Sequence, residues 1–177
     1  MLAGKLLPIR LYGDDILRQK LAECDFQDPA LQDFIPDLIY TMYERDGVGL
    51  AANQVGSTLR VFVIDPGISE EDAEPNPIVM INPVIETREG EIQGDEGCIS
   101  LPGVFAEVRR ARKISYSYID LEGKRVSETA EGYKAVVIQH EYDHLEGILF
   151  TDHLGTLARL KVKRHLKEIA STAVNGT

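Results

Sequence analysis

The chain has no tryptophan and only two cysteines, Cys24 and Cys98, among 177 residues. Two cysteines cannot build the multi-bridge framework of a small secreted domain, and a chain of this length buries roughly 70% of its unfolded surface without one. No stretch approaches the 18 or so consecutive apolar residues of a membrane-spanning helix, so no membrane partner is expected. The opening Met1-Leu2-Ala3-Gly4-Lys5-Leu6-Leu7-Pro8 lacks an apolar block long enough for a secretory signal. These absences point to the cytoplasm, where thiols stay reduced. Positive charge is also in deficit, with 19 Lys and Arg against 29 Asp and Glu and a formal net charge of −10. That balance argues against non-specific nucleic-acid binding by the body of the protein. The deficit is uneven, because residues 159–177 hold five bases (Arg159, Lys161, Lys163, Arg164, Lys167) against one acid (Glu168), a local balance of +4. There is no internal repeat and no linker long enough to separate two units, so one domain spanning 1–177 is expected. Nothing in the sequence specifies an oligomeric state.

What is present reads as α+β. Asp28 is a candidate N-cap with Pro29 at the first helical position, and Leu31, Phe34, Ile35, Leu38, Ile39, Met42 and Tyr43 follow at three- and four-residue steps. The spacing predicts a helix ending near Asp46 with Gly47 past its end, and Pro36 inside it predicts a kink or a later start. Strand-like runs cover 59–65, 78–86 and 114–120, followed by a Leu-Glu-Gly-Lys turn and a short polar strand from Arg125. Between the first two runs, residues 66–77 hold Pro66, Pro75, Pro77, Glu70, Glu71, Asp72 and Glu74, which predicts an exposed loop inserted in the domain. A second helix is expected over 133–146, stopped by Gly147, and a third, basic helix over 156–172 with Thr156 as N-cap. Strands grouped between helices without regular alternation predict antiparallel or mixed sheets around a central helix, with an N-terminal and a C-terminal helix.

The most specific chemical signal lies on the second helix, at His140-Glu141-Tyr142-Asp143-His144. Residues four apart lie one turn apart on one face, so both imidazoles can reach a single metal ion. Glu141 lies roughly 100° around from His140, close enough to act on a water at that ion and badly placed as a third ligand. The apolar Val136, Val137 and Ile138 turn the motif toward the interior. Three fixed residues match by chance at about one position in 8,000, so the pattern needs context.

A catalytic ion needs a third protein ligand and an open position. The downstream candidates are weak: Asp152 and His153 follow the helix exit, with His153 reading as an ordinary flanking residue, and His165 lies in the basic terminal helix. Upstream, Glu96-Gly97-Cys98-Ile99-Ser100 sets a cysteine in a turn-like segment, either as a buried small apolar side chain or as a thiolate ligand. Cys24 has no such partners and reads as structural. A third segment, Gly47-Val48-Gly49-Leu50-Ala51-Ala52-Asn53-Gln54, carries two glycines that allow a sharp turn or close backbone approach. It is not a dinucleotide-binding fingerprint, because Ala stands at 52 and no strand precedes it.

Taken in order, these segments resemble the peptide deformylase family: Gly47-x-Gly49-Leu50-Ala51-Ala52-x-Gln54, then Glu96-Gly97-Cys98-x-Ser100, then Gln139-His140-Glu141-x-Asp143-His144-Leu145. Ile99 replaces the commoner leucine, and the resemblance runs from Leu7-Pro8-Ile9 through the terminal helix. It implies hydrolytic removal of formyl from the N-terminal formyl-methionine of nascent polypeptides, with release of formate. It implies one divalent ion on Cys98, His140 and His144, with Fe²⁺ in the cell and Zn²⁺, Ni²⁺ or Co²⁺ as replacements. It implies Glu141 as general base and acid, with Gln54 and the Ile99 backbone N–H holding the developing oxyanion. Val48, Gly49 and Gly97 would line the extended substrate backbone, while Val48, Ile99, Val136 and Val137 would contribute to the methionine pocket.

Behind the ligands the resemblance implies a buried Glu96 and Arg110 pair; the rest of the Arg109-Arg110-Ala111-Arg112-Lys113 run reads as solvated edge. Phe105 departs from the arginine of many bacterial members, which puts substrate contacts beyond methionine in question. The basic terminal helix suggests a contact with ribosomal RNA phosphates. Two other classes fit parts of the pattern. A zincin-like metallopeptidase requires a downstream third ligand, and a non-catalytic metal-binding domain requires nothing of Glu141.

Overall fold

The computed structural model describes residues 4–174, so Met1-Leu2-Ala3 and residues 175–177 of the sequence reading lie outside the described residues. The first long helix, α1 (Pro29–Glu44), starts where its cap predicts: the Asp28 side chain accepts the Ala30 N–H at 2.9 Å. Pro36 neither delays nor interrupts it. The carbonyl that Pro36 cannot bond belongs to Gln32, and both residues are exposed, so water can satisfy it.

Five strands form one sheet in the order β1 (Gly49–Ala51), β2 (Val61–Ile64), β3 (Ile78–Glu89), β6 (Lys113–Ile119), β7 (Arg125–Glu131). A separate ribbon pairs β4 (Ile92–Cys98) with β5 (Leu101–Arg110). Every pairing is antiparallel, so the mixed alternative falls away. The short β1 and the β4–β5 ribbon are not anticipated by periodicity: β4 is polar with two glycines, and β1 lies inside the glycine motif. Residues 66–77 form turns and irregular chain between β2 and β3.

The unbroken apolar run of β2 follows from burial on both faces. Phe62 and Ile64 face a core with Met80, Tyr116, Val137, Ile138 and Leu145, the last three from helix α2 (Tyr133–Leu145). Val61 and Val63 face a second core with Leu31, Ile35, Leu38 and Met42 of α1. A third core joins Leu101, Val104 and Val108 of β5 to Phe150, Leu154, Leu166 and Ile169, the last two on α3 (Thr156–Val174). Between α2 and α3 the chain makes one 3-10 turn, Phe150–His153.

Helix α2 is fixed at both sides and at its end. Gln139 brackets residue 111, accepting the Ala111 N–H at 3.1 Å and donating to the Ala111 carbonyl at 2.9 Å, and so ties the helix to the β5–β6 link. At the C-terminus, buried Arg60 donates to the Leu21 carbonyl at 2.9 Å and the Leu145 carbonyl at 3.4 Å, and pairs with Glu146 at 2.6 Å. A cation there also suits the negative end of the helix dipole. Gly147 then turns the chain at φ +73°, where a side chain would also strike the backbone of Arg18.

Candidate metal centre and active site

The three segments singled out in the sequence converge although they sit on separate elements. Cys98 ends β4, Gln54 lies in the 3-10 turn Ala52–Val55 after β1, and His140, Glu141 and His144 project from α2. One ligand atom from each of Cys98, His140 and His144 lies within 4.8 Å of the others, and Cys98 Sγ is 3.3 Å from His144 Nε2. Tetrahedral bonds to sulfur and nitrogen put neighbouring donors roughly 3.5 Å apart, so the donor set fits one ion of that kind. Among the described residues no other group of His, Cys, Asp and Glu has this form.

The orientation of His140 is set by what stands behind it, whereas His144 Nδ1 is buried with no hydrogen-bond partner among the described residues. His140 Nδ1 lies 2.8 Å from Glu96 Oε2. An ionised carboxylate only accepts, so Nδ1 carries the hydrogen and Nε2 is left for an ion. Burial would raise the Glu96 carboxyl, but the Arg110 and His140 hydrogen bonds outweigh it and hold its pKa at about 2. Burial, with the charges of His140 and Arg110 next, pushes His144 well below its ordinary value and favours the neutral ligand form. Arg110 grips Glu96 with Nε at 2.8 Å and Nη2 at 3.0 Å, and turns Nη1 to Asp143. The run around it alternates as a strand should: Arg110 is buried while Arg109, on the opposite face of β5, is exposed.

Glu141 is buried, and its Oε2 has no protein hydrogen-bond partner. Burial pushes its pKa up to about 7, where a carboxyl can both take and return a proton near neutral pH. The absent side chain at Gly49 makes room for it, since a Cβ there would stand 2.5 Å from Glu141 Oε1. Gln54 is oriented by its own backbone: Oε1 accepts the Ala51 N–H at 2.9 Å. Its amide nitrogen must then face the other way, where it donates to Ser100 Oγ at 3.2 Å and lies 3.3 Å from Cys98 Sγ.

These groups open on a cavity of about 420 Å³ lined by Val48, Gly49, Gly97, Ile99, Val136 and Val137, with Gln54, Glu96, Cys98, His140 and Glu141. Thus every residue expected to touch substrate lies on one wall or another of the same space. Phe105 and Tyr133, 70% and 54% exposed, stand at its mouth, and Phe105 lies over Gly97. The downstream alternatives for a third ligand are engaged elsewhere. Asp152 pairs with Arg18, His153 bonds Asp143, and His165, on α3, packs beside Gly103 of β5. His153 is therefore more than the flanking residue that its position after the helix suggested. Sequence reasoning assigned no role to Asp143, Ser100 or His153; the first two lie inside the quoted motifs, and His153 carried no motif signal.

An α+β fold with a Cys-His-His donor set, a buried carboxylate beside it and a substrate-sized cavity defines a metallohydrolase. Comparison with known proteins gives the family. The model of the family described as polypeptide deformylase matches residues 6–160. A peptide deformylase of Alkalilimnicola ehrlichii is 43% identical over 164 residues, covering 93% of this chain and 90% of the relative. One from Aquifex aeolicus is 43% identical, covering 92% and 96%. The crystal structure of the Thermus thermophilus peptide deformylase superposes with a TM-score of 0.85 at 41% identity, over 95% of this chain and 99% of that one. The chain belongs to the polypeptide deformylase family and is a metallohydrolase with peptide deformylase activity. Among the described residues no helix is long and apolar enough to cross a membrane.

Proposed function

We propose that the chain removes the N-formyl group from the formyl-methionine that begins newly made polypeptides, with Glu141 moving the proton and Gln54 and the Ile99 N–H receiving the oxyanion. The observation that carries this assignment is the convergence of Gln54, Cys98, His140 and Glu141 on one cavity from three elements, with His144 completing the ligand group beside it. Cys98, His140 and His144 would hold one divalent ion, which when bound lowers the pKa of water toward neutrality and polarises the formyl oxygen. Glu141 takes a proton from the attacking water. As the carbon becomes tetrahedral, negative charge grows on the former formyl oxygen, and the Gln54 amide N–H and the Ile99 N–H donate to it. Donors of this kind are worth on the order of 3 kcal/mol each in the transition state. Glu141 then gives its proton to the leaving amine, the C–N bond breaks, and formate departs.

Two strand edges support an extended substrate. Among the described residues β1 pairs with β2 alone and β4 with β5 alone, and residues of both line the cavity. The Val48 carbonyl is taken by the Asp65 N–H at 2.9 Å, which carries the β1–β2 pairing one residue further, and Val48, Gly49 and Gly97 all line the cavity. Main-chain pairing of this kind is independent of sequence, as an enzyme for many nascent chains requires. Val48, Ile99, Val136 and Val137 would select unbranched methionine, and Phe105 would meet the chain beyond it with an aromatic face rather than a guanidinium.

Glu141→Gln tests the assignment: the variant should retain metal and release no formate from a formyl-Met-peptide that wild type cleaves, while the acetylated twin resists both. Turnover by the variant would refute the role of Glu141. Cys with two His suits borderline divalent ions, and Fe²⁺ is the ion proposed for the cell, with Zn²⁺, Ni²⁺ or Co²⁺ able to replace it. Metal analysis after anaerobic purification decides this, and zinc alone would count against iron. We propose that the work is done in the cytoplasm, beside the ribosome. Lys161, Lys163 and Lys167 are exposed on α3, whereas Leu166 and Ile169 anchor it in the third core. Changing those three lysines to glutamate, rather than deleting the helix, should therefore abolish low-salt co-sedimentation with ribosomes if the helix meets RNA phosphates. Unchanged co-sedimentation would refute that contact.

A further inference from the structure

We propose that His153 is a positioning residue for His140, acting through Asp143, Arg110 and Glu96. The proposal rests on His140 being a metal ligand, as read above. His153 Nε2 lies 2.7 Å from Asp143 Oδ2 and 3.2 Å from Arg110 Nη1. One ring nitrogen cannot donate to a carboxylate and accept from a guanidinium at once. The shorter contact is to the carboxylate, so Nε2–H donates to Asp143. Asp143 in turn receives Arg110 Nη1, Arg110 holds both oxygens of Glu96, and Glu96 Oε2 accepts from His140 Nδ1 at 2.8 Å. The side chains of Arg110 and Glu96 are 4% and 7% exposed and that of Asp143 12%, whereas that of His153 is 35% exposed. The histidine is thus the outer end of an otherwise buried chain of charges that stops on the ligand ring.

A second contact from the same turn points to the same role. Phe150 begins the 3-10 turn that His153 ends, and its ring lies nearly parallel to the His140 ring, 25° between planes and 6.0 Å between centroids. One four-residue segment therefore touches His140 by two routes, across its face and along its Nδ1–H axis. Without His153, Oδ2 of Asp143 keeps only Arg110, and the carboxylate, no longer held from its outer side, is free to turn and carry the guanidinium with it. A rotation of Arg110 passes directly to Glu96, because two of its nitrogens are committed there.

Removing a partner directly behind a ligand typically costs 10- to 100-fold in metal affinity, and His153 stands three links further back, for which about threefold to tenfold is expected. The test uses the full chain loaded with Co²⁺, with metal release to excess EDTA followed by visible absorption and kcat and KM measured on a formyl-Met-peptide. His153→Leu should release Co²⁺ about threefold to tenfold faster and lose kcat with KM nearly unchanged. His153→Gln, which can place an amide N–H where Nε2 lies, should stay within about twofold of wild type. His153→Asn, polar but too short to reach Asp143, should behave like the leucine variant, and it serves alone should that variant fail to fold. Wild-type release by the Asn or Leu variants overturns the proposal, as does equal loss by Gln. His140→Ala in the same series separates the two readings: retention of Co²⁺ there would refute His140 as ligand. Loss there, with unaltered His153 variants, refutes only the positioning role.

Discussion

A single methyl group at Gly49 tests whether the placement of Glu141 governs turnover. A Cβ on residue 49 would stand 2.5 Å from Glu141 Oε1 and 2.8 Å from its Cγ and Cδ, where ordinary contact begins at 3.4 Å. One side must retreat by about 0.9 Å. The strand cannot easily do so, because Leu50 and Ala51 are fully buried and β1 is held in register against Phe62 and Val63 of β2. Glu141 yields instead, since its Oε2 has no hydrogen bond to keep it. Misplacing a reacting group by about 1 Å costs on the order of 100-fold. Gly49→Ala should therefore lower kcat by about 10- to 100-fold, or about 1.4–2.7 kcal/mol of barrier, with overpacking costing about 1–3 kcal/mol of stability. Metal content should stay at the wild-type value, because the three atoms nearest that Cβ all belong to Glu141, which is not among the ligands. The assay is formate release under saturating formyl-Met-peptide, with metal measured on the same sample. A double-mutant cycle isolates the cause: in a Glu141→Asp background, where the side chain is already withdrawn, the added methyl should cost far less than in wild type. A kcat within twofold of wild type for Gly49→Ala, or full additivity in the cycle, would refute the reasoning.

The remaining predictions concern charge and oxyanion binding. Glu141 holds a proton in the folded metal-free protein up to about pH 7, against an ordinary carboxyl value of 4.5. The folded state therefore binds more protons than the unfolded one in that window, and stability falls as pH rises through it. Urea unfolding of metal-free protein should find Glu141→Gln more stable than wild type at pH 8, by up to about 3 kcal/mol, with the gap closing toward pH 4. Glu96 has the opposite sign, with its pKa held at about 2. Its stabilising contribution is complete above the unfolded value and vanishes as pH falls toward 2, so Glu96→Gln should flatten acid destabilisation between pH 4.5 and 2. Arg110→Met leaves Glu96 and Asp143 without their cation and should cost about 3–5 kcal/mol in the same measurement. Gln54→Ala, measured with metal kept saturating because its amide also bonds Cys98 Sγ, should reduce kcat by about 10²- to 10³-fold, since it removes the proposed donor to the oxyanion.

How far the fold was legible depended on whether an element carries an apolar pattern of its own. α1 declared itself because Leu31, Ile35, Leu38 and Met42 face one core at helical spacing, and β2 because Val61 to Ile64 is apolar on both faces. The β4–β5 ribbon did not. Its outer residues Gln93, Gly94 and Asp95 are exposed, so β4 has little apolar period to read, and its register is specified by pairing with β5 instead. Pro36 does not delay or end α1, since a proline on the exposed side of a helix loses a hydrogen bond that water replaces.

The site divides along the same physical line. Cys98, His140, Glu141 and His144 could be read because their chemistry needs fixed residue types at fixed spacing, and Gln54 because it sits in a matching motif. Asp143 stands inside such a motif, yet its partner cannot be deduced from it: Arg110 arrives from a strand 33 residues away and His153 from a turn 10 residues on. Spacing along one helix specifies which side chains can meet one ion. It says nothing about what holds the back of each ring, because those groups come from whichever elements the cores bring alongside. Here the third core seats the 150–153 turn through Phe150, and the same residue lies against His140. The packing that closes the fold thus also lays a ring against His140, and on the proposed reading a substitution at His153 should be felt at the metal while leaving that core intact.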